Sequence, residues 1–209
     1  MRGSKVVALK TVGVILAGGR ATRIGGADKA LLPLGGAPMI AQVIRRLAPQ
    51  VDALAINAGA DPARFSPFDL PVLPDTVAGQ PGPLAGILAG MLWAGRQGAS
   101  HVVSAATDTP FLPGDLVTRL ATAAQQARKP IALAETADGL HPTFGLWPVT
   151  LAEDLALALE AGTRKVAAWA LGEGAARAQF AALPFDPFFN VNTPDDLVAA
   201  EQLLAGRKL

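Results

Sequence analysis

Two kinds of apolar run alternate along this chain. Short runs of small and branched residues occur at 12–16 (broken only by Gly13), 53–56, 70–73, 101–107, 131–134 and 143–147. Most end at or next to glycine, proline, asparagine or aspartate, and each predicts a strand. A run at 178–183 predicts one more. Between them lie helical patterns. After Ala37-Pro38, residues Ile40, Val43, Ile44 and Leu47 fall at i, i+3, i+4 and i+7. Residues 79–83 read as a loop, after which Leu84, Ile87, Leu88, Met91 and Leu92 trace a second amphipathic helix. Pro113 starts a third, carrying Leu116, Val117 and Leu120. A fourth over about 150–160 places Leu151, Leu155 and Leu159 on one face. Thr193-Pro194-Asp195-Asp196 opens the last, with threonine as cap and proline at the first position.

Strands alternating with helices predict an α/β domain, its sheet mostly parallel and covered on both faces. Such sheets bind ligands beyond the carboxyl ends of their strands. Polar residues gather at those ends here: Gly18, Gly19, Asn57, Asp75 and Asp108. No repeat, linker or low-complexity tract interrupts the pattern. The expectation is one domain over residues 1–209, with 1–10 as an N-terminal extension.

Composition narrows the function. At 209 residues and 51% hydrophobic content the chain can bury a substantial core. A net charge of +1 is not the strongly basic balance of a nucleic-acid binder, so anion binding has to be local. The absence of cysteine excludes disulfides and thiolate metal sites, and two histidines cannot build a histidine-rich one. The N-terminus lacks a cleavage site of signal-peptide type, and no stretch has the length of a membrane span. These features lead us to expect a cytoplasmic protein that binds neither nucleic acid nor membrane.

The candidate chemistry concentrates at the end of the first strand, in VILAGGRATRIGGADKALLPLGG. Glycines let backbone N–H groups approach anionic oxygens closely, and some can take positive φ to aim several N–H groups inward. Arg20, Arg23 and Lys29 add positive charge just downstream. That combination predicts a phosphate cradle. It is neither of two familiar kinds: Gly18 and Gly19 are adjacent, which excludes GxGxxG, and no Gly-Lys pair exists to make a P-loop.

Other residues admit two readings. Asp108 closes an apolar strand, where one carboxylate plus substrate phosphates would suit Mg²⁺; it is also a good turn or helix-approach residue. Arg23 and Lys29 could neutralise a triphosphate or remain solvated. Asn57 and Asp75 could hydrogen-bond a base, a carboxylate suiting the N1–H and amine of guanine, or serve as turn residues. Asn190 and Asn192 precede the last helix and could support metal or acceptor. His141 and Trp147 read as packing or turn residues. Residues 162–165 read as an acceptor-phosphate site or a solvated helix start.

Several of these stretches together resemble the molybdenum cofactor guanylyltransferase family. Leu16-Ala17-Gly18-Gly19, Arg23-Ile24-Gly25-Gly26 and Asp28-Lys29 stand where that family has LAGG-x3-RMGG-x-DK, with Ile24 in place of methionine. Pro74-Asp75, Gly82-Pro83-Leu84-Ala85-Gly86, Asp108-Thr109-Pro110, the HPTFGLW stretch at 141–147 and Asn190-Val191-Asn192-Thr193-Pro194 follow in the family's order. The likeness spans about residues 12–205. It implies a three-layer, Rossmann-like nucleotidyltransferase fold and transfer of GMP from GTP to molybdopterin-bound molybdenum cofactor, with Mg²⁺ required. Leu16, Ala17, Gly18, Gly19, Lys29, Asn57, Asp75 and Asp108 would contact the nucleotide. Arg23, Lys29 and Asp108 would be catalytic, and Asp108 would also hold the metal. Transient contacts with other cofactor-biosynthesis proteins and recipient molybdoenzymes are further expectations. The family often carries cysteine where Thr107 stands, and a longer polar pair where Ala58-Gly59 follows Asn57. A sister CTP-using enzyme, whose loop resembles LAAG, a sugar-1-phosphate nucleotidyltransferase and a non-catalytic GTP-binding adaptor are the alternatives.

Overall fold

The computed structural model describes residues 10–18, 23–24, 27–59, 61–76 and 82–206. Most of the expected N-terminal extension, together with Gly19, Arg20, Thr22, Gly25, Gly26 and 79–81, lies outside them. Strand β1 (Thr11–Leu16) leads to two short antiparallel pairs, β2 (Arg23–Ile24) with β3 (Ala27–Asp28) and β4 (Pro33–Leu34) with β5 (Ala37–Pro38). Helix α1 (Met39–Leu47), β6 (Leu54–Asn57), β7 (Val72–Leu73), α2 (Pro83–Arg96), β8 (His101–Ala106) and α3 (Leu116–Ala127) follow. The chain continues through β9 (Ala132–Thr136), β10 (Gly139–Pro148), α4 (Ala152–Glu160), α5 (Val166–Gly172), β11 (Ala176–Gln179) and α6 (Pro194–Ala205).

Seven strands form one sheet in the order β11-β9-β10-β8-β1-β6-β7. β1 runs parallel to both β8 and β6, β6 to β7, and β11 to β9. β10 is the exception and runs antiparallel to β8 and β9. Only Ala137 and Asp138 separate β9 from β10, and so short a connection can join only antiparallel neighbours. The reversal brings the start of β10 to the same sheet edge as the carboxyl ends of β8 and β1.

Side-chain alternation along the strands divides the core in two. On one face Ile15, Val103 and Ala105 pack with Ile40, Val43 and Leu47 of α1 and Leu116 and Leu120 of α3. On the other, Val12, Val14 and Val102 meet α2, α4 and α5 through Ile87, Met91, Leu155 and Trp169. Each large aliphatic side chain fully buried in this way contributes about 1.5–3 kcal/mol. Helix α2 is apolar nearly all round because it is covered on most sides. Helix α6 closes a third, smaller cluster in which Leu34, Met39, Phe111 and Val191 are buried. Among the described residues, no helix is long and apolar enough to cross a membrane.

Some boundaries differ from expectation. α3 begins three residues after Pro113, at Leu116. β11 takes Ala176–Gln179, overlapping only the start of the run at 178–183, and Leu183 is exposed. α5 was not anticipated, since seven residues are too few to show a helical period.

Candidate active site

Strand β1 delivers the chain to the carboxyl edge of the sheet between β6 and β8. Leu16 and Ala17 are buried, and the Ala17 amide donates to the Asn57 carbonyl at 2.8 Å, extending the β1–β6 ladder by one bond. Gly18 is exposed and keeps ordinary negative-side backbone geometry, so the expected positive φ is not used there. What it provides is room. A Cβ at Gly18 would still lie 3.8 Å from the Gly59 nitrogen and 3.9 Å from Asn57 Oδ1. Arg23 is placed through its backbone, opposite Asp28 in the β2–β3 pair.

Lys29 is the centre of the polar arrangement. It opens a 3₁₀ turn, Lys29–Leu31, whose second amide (Ala30) donates to Asp28 Oδ1 at 3.0 Å. The Lys29 side chain is buried, and its ammonium donates to Asp108 Oδ2 at 2.9 Å and to Asn192 Oδ1 at 2.6 Å. Lysine is almost never buried unless paired, and here a carboxylate and an amide oxygen supply the pairing. Asp108 sits two residues past β8. α3 starts well beyond it, with Asp115 at the N-cap position, so Asp108 lies in a turn and not at the start of that helix. One carboxylate oxygen faces Lys29; among the described residues the other meets the Thr109 hydroxyl, at 3.4 Å. The side chain keeps about a quarter of its surface in solvent.

Asn192 reaches this pair because α6 is firmly started. Thr193 Oγ1 accepts from the Asp196 amide at 3.1 Å, and Asp196 Oδ2 accepts from the amides of Thr193 and Asn192 at 2.8 and 2.9 Å. This capping box satisfies donors at the helix N-terminus. The same backbone hydrogen bonds, from Asn192 and then Thr193, hold the Asp196 carboxyl below the usual range. The Val191 amide donates to the Asp108 carbonyl at 2.8 Å, tying the two segments directly. Both asparagines are exposed, and among the described residues it is Asn192, not Asn190, that meets Lys29.

Asn57 and Asp75 are also brought together, but not as two independent base readers. Asn57 is buried at the end of β6, and its Nδ2 donates to the Leu73 carbonyl at 3.2 Å and to Asp75 Oδ1 at 3.0 Å. Both amide hydrogens are committed, leaving Oδ1 as its acceptor. Asn57 therefore orients Asp75. Two glycines allow this. A Cβ at Gly59 would meet Asp75 Oδ2 at 2.5 Å, so this glycine lets the carboxylate lie close against the backbone. A Cβ at Gly86 would collide with Asn57 Oδ1 and lie 2.7 Å from a Leu16 methyl, so α2 lies directly against the asparagine.

Arg64 was not anticipated. It lies in the 3₁₀ segment Pro62–Phe68, its Nε 2.7 Å from Asp28 Oδ2 and its Nη2 donating to the Ala17 carbonyl at 3.3 Å. Its one sequence signal was to be the sole basic residue between Asn57 and Asp75. Other candidates have structural duties. Trp147 is fully buried and donates to Ser104 Oγ at 2.8 Å. His141 stacks on Phe188 with centroids 4.4 Å apart and shares a 2.9 Å hydrogen bond with Thr136. Arg164 donates to the Leu159 and Thr163 carbonyls, closing the end of α4.

An open, mostly parallel sheet with a glycine loop and a buried lysine–carboxylate pair at its carboxyl edge has the makings of a phosphate- and nucleotide-binding domain. Molybdopterin-guanine dinucleotide biosynthesis protein A from Archaeoglobus fulgidus shares the fold. It aligns with a TM-score of 0.68 over 93% of this chain and 99% of its own, at 23% identity. The family model described as MobA-like NTP transferase domain matches residues 13–176. Molybdenum cofactor guanylyltransferase of Cereibacter sphaeroides is 50% identical over 196 residues, covering 94% of this chain and 98% of that one. Its counterpart in Rhodopseudomonas palustris strain BisB5 is 50% identical over 92% of this chain and 93% of its own. The chain belongs to the MobA-like NTP transferase family.

Proposed function

We propose that this protein transfers GMP from GTP to molybdopterin-bound molybdenum cofactor, giving the guanine dinucleotide form and pyrophosphate. The observation that carries the reading is the buried Lys29 ammonium held between Asp108 and Asn192, next to the strand end that presents Ala17 and Gly18. Half-identity to guanylyltransferases over nearly the whole length supports the same substrates. A terminal phosphate oxygen of molybdopterin attacks the α-phosphorus in line, and pyrophosphate leaves. The nucleophile is already anionic, so no side-chain base is required, and catalysis consists of positioning and charge neutralisation. Lys29 supplies charge to the triphosphate, with Arg23 as a second cation from β2. Backbone groups of Leu16, Ala17 and Gly18 receive the phosphates. Asp75, oriented by Asn57, accepts from the N1–H and amine of guanine.

Mg²⁺ fits the residues present. Asp108 offers a hard carboxylate oxygen with one weak contact, and Asn192 Oδ1 lies on the same ammonium. Among the described residues no three His, Cys, Asp or Glu side chains cluster to hold a metal alone, so the ion would share its shell with phosphates and water. When bound, it offsets charge growing on the departing pyrophosphate. Asn192 supports this corner by holding Lys29. The reaction further implies a cytoplasmic setting and transient meetings with cofactor-biosynthesis proteins and recipient molybdoenzymes.

The test is turnover by purified protein with Mg²⁺, molybdopterin-bound molybdenum and each of the four NTPs in turn, following pyrophosphate and the nucleotide in the product. Pyrophosphate release with GTP alone, and GMP in the product, is the expected result. Release with CTP instead would overturn the base assignment. GTP binding without release would point to an adaptor.

A further inference from the structure

Arg64 joins the two ends of the glycine-rich loop. At the entry, its Nη2 donates to the Ala17 carbonyl at 3.3 Å; at the exit, its Nε pairs with Asp28 Oδ2 at 2.7 Å. The guanidinium is planar and reaches both groups at once, with a hydrogen bond to Ala17 and an ion pair with Asp28, which a lysine's single ammonium cannot. It also lies over the Phe65 ring, 4.6 Å from the centroid, and that ring is fully buried in the core. The clasp is thus anchored to the α1–α3 face of the sheet and largely withdrawn from water, with side-chain exposures of 19% for Arg64 and 24% for Asp28. Asp28 passes the restraint on: its other oxygen accepts from the Ala30 amide and so fixes the turn that begins with Lys29. A continuous set of contacts runs from Ala17 through Arg64 and Asp28 to Lys29, and from there to Asp108 and Asn192.

We infer that Arg64 is a positioning residue for nucleotidyl transfer: it sets the distance between the backbone at Ala17–Gly18 and the Lys29 ammonium, so that both meet the triphosphate together. The inference rests on the reading of this loop as the GTP site. It assigns Arg64 no contact with substrate. Its effect travels through Asp28, so the two side chains act as one unit.

Three variants test it: Arg64→Gln, Arg64→Lys and Asp28→Asn, the last keeping an acceptor for Ala30 while removing the charge. GTP affinity is measured by calorimetry, and kcat and KM by pyrophosphate release. R64Q weakens GTP binding and raises its KM by about tenfold, the scale of a lost charge-assisted hydrogen bond. Its kcat falls by a smaller factor. R64K recovers part of the loss, since it can hold Asp28 but not both ends. D28N reproduces much of the R64Q effect, and the double variant is no worse than R64Q alone, as expected for residues acting in one network. In the ligand-free protein, amide exchange at Ala30 speeds up several-fold in R64Q while Val14 and Val103 in the central strands are unchanged. Unaltered exchange at Ala30, or R64Q and D28N effects that multiply, would overturn the inference. A wild-type protein that fails to bind GTP would overturn the functional reading instead, and the Ala30 exchange would still decide whether the clasp exists.

Discussion

The burial of Lys29 makes its partnership with Asp108 asymmetric. Lys29 keeps 6% of its side-chain surface in solvent and Asp108 keeps 25%. Replacing Lys29 by Met leaves a carboxylate that water can reach, so its charge is readily solvated. Replacing Asp108 by Asn leaves an ammonium enclosed with neutral acceptors only. Removing one partner of a buried pair costs about 3–5 kcal/mol, and D108N belongs near the low end because Asn192 still accepts. K29M costs about 1 kcal/mol or less, closer to a surface pair. Both variants lose turnover, but thermal or urea unfolding separates them, D108N being the less stable. Equal stability would mean that the Lys29 ammonium is solvated in solution. Lys29 and Asp108 could be picked out from sequence because a cation after a glycine loop and a carboxylate after an apolar strand are local patterns. Arg64 could not. Its partners, Ala17 and Asp28, lie far away in sequence, and only the β1–β6 register brings them near.

At the scale of elements, the sheet edge is shaped by how closely α2 approaches it. The helix was predictable from its apolar period, and its Gly86 was visible in the GPLAG stretch. That this glycine lies against Asn57 became evident only from the packing. Gly86→Ala adds a methyl where Asn57 Oδ1 and a Leu16 methyl already stand. Overpacking of this kind costs about 1–3 kcal/mol. Helix or asparagine has to shift, and Asn57 then no longer holds Asp75 in place. The expected outcome is a raised KM for GTP and weaker discrimination of guanine from other bases, with kcat less affected because Lys29 and Asp108 are untouched. Steady-state kinetics with GTP, ATP and ITP checks this, and unchanged base selectivity would separate Asn57 from base recognition. The capping box of α6 was legible for a similar reason to α2, since Thr193-Pro194-Asp195-Asp196 is a local signal. Which of Asn190 and Asn192 reaches Lys29 was not, because it depends on where Val191 pairs with Asp108.

Across the whole molecule, the layered α/β architecture followed from alternation of strand and helix, while the direction of β10 did not. Its apolar period is visible only at 143–147, because the register shifts between His141 and Gly145. The same irregular stretch carries His141, and with His101 at the start of β8 it gives the fold a predictable pH response. Burial pushes both imidazoles below the ordinary histidine value of 6.5. For His141 the negative charges of Asp186 and Asp138 oppose the shift without cancelling it. A group whose folded pKa is depressed binds fewer protons in the native state than in the unfolded one, so stability rises with pH across the interval between the two values. The contribution of the histidines is therefore complete above about 6.5 and is lost as pH falls through their folded values. Unfolding midpoints measured from pH 7.5 down to about 5 should decline. His141→Gln should flatten that decline, and Asp186→Asn should steepen it by removing a charge that favours the imidazolium. If D186N instead leaves the slope unchanged, the two groups are not coupled across the Phe188 stack. A response of opposite sign would mean that His141 is charged in the native protein.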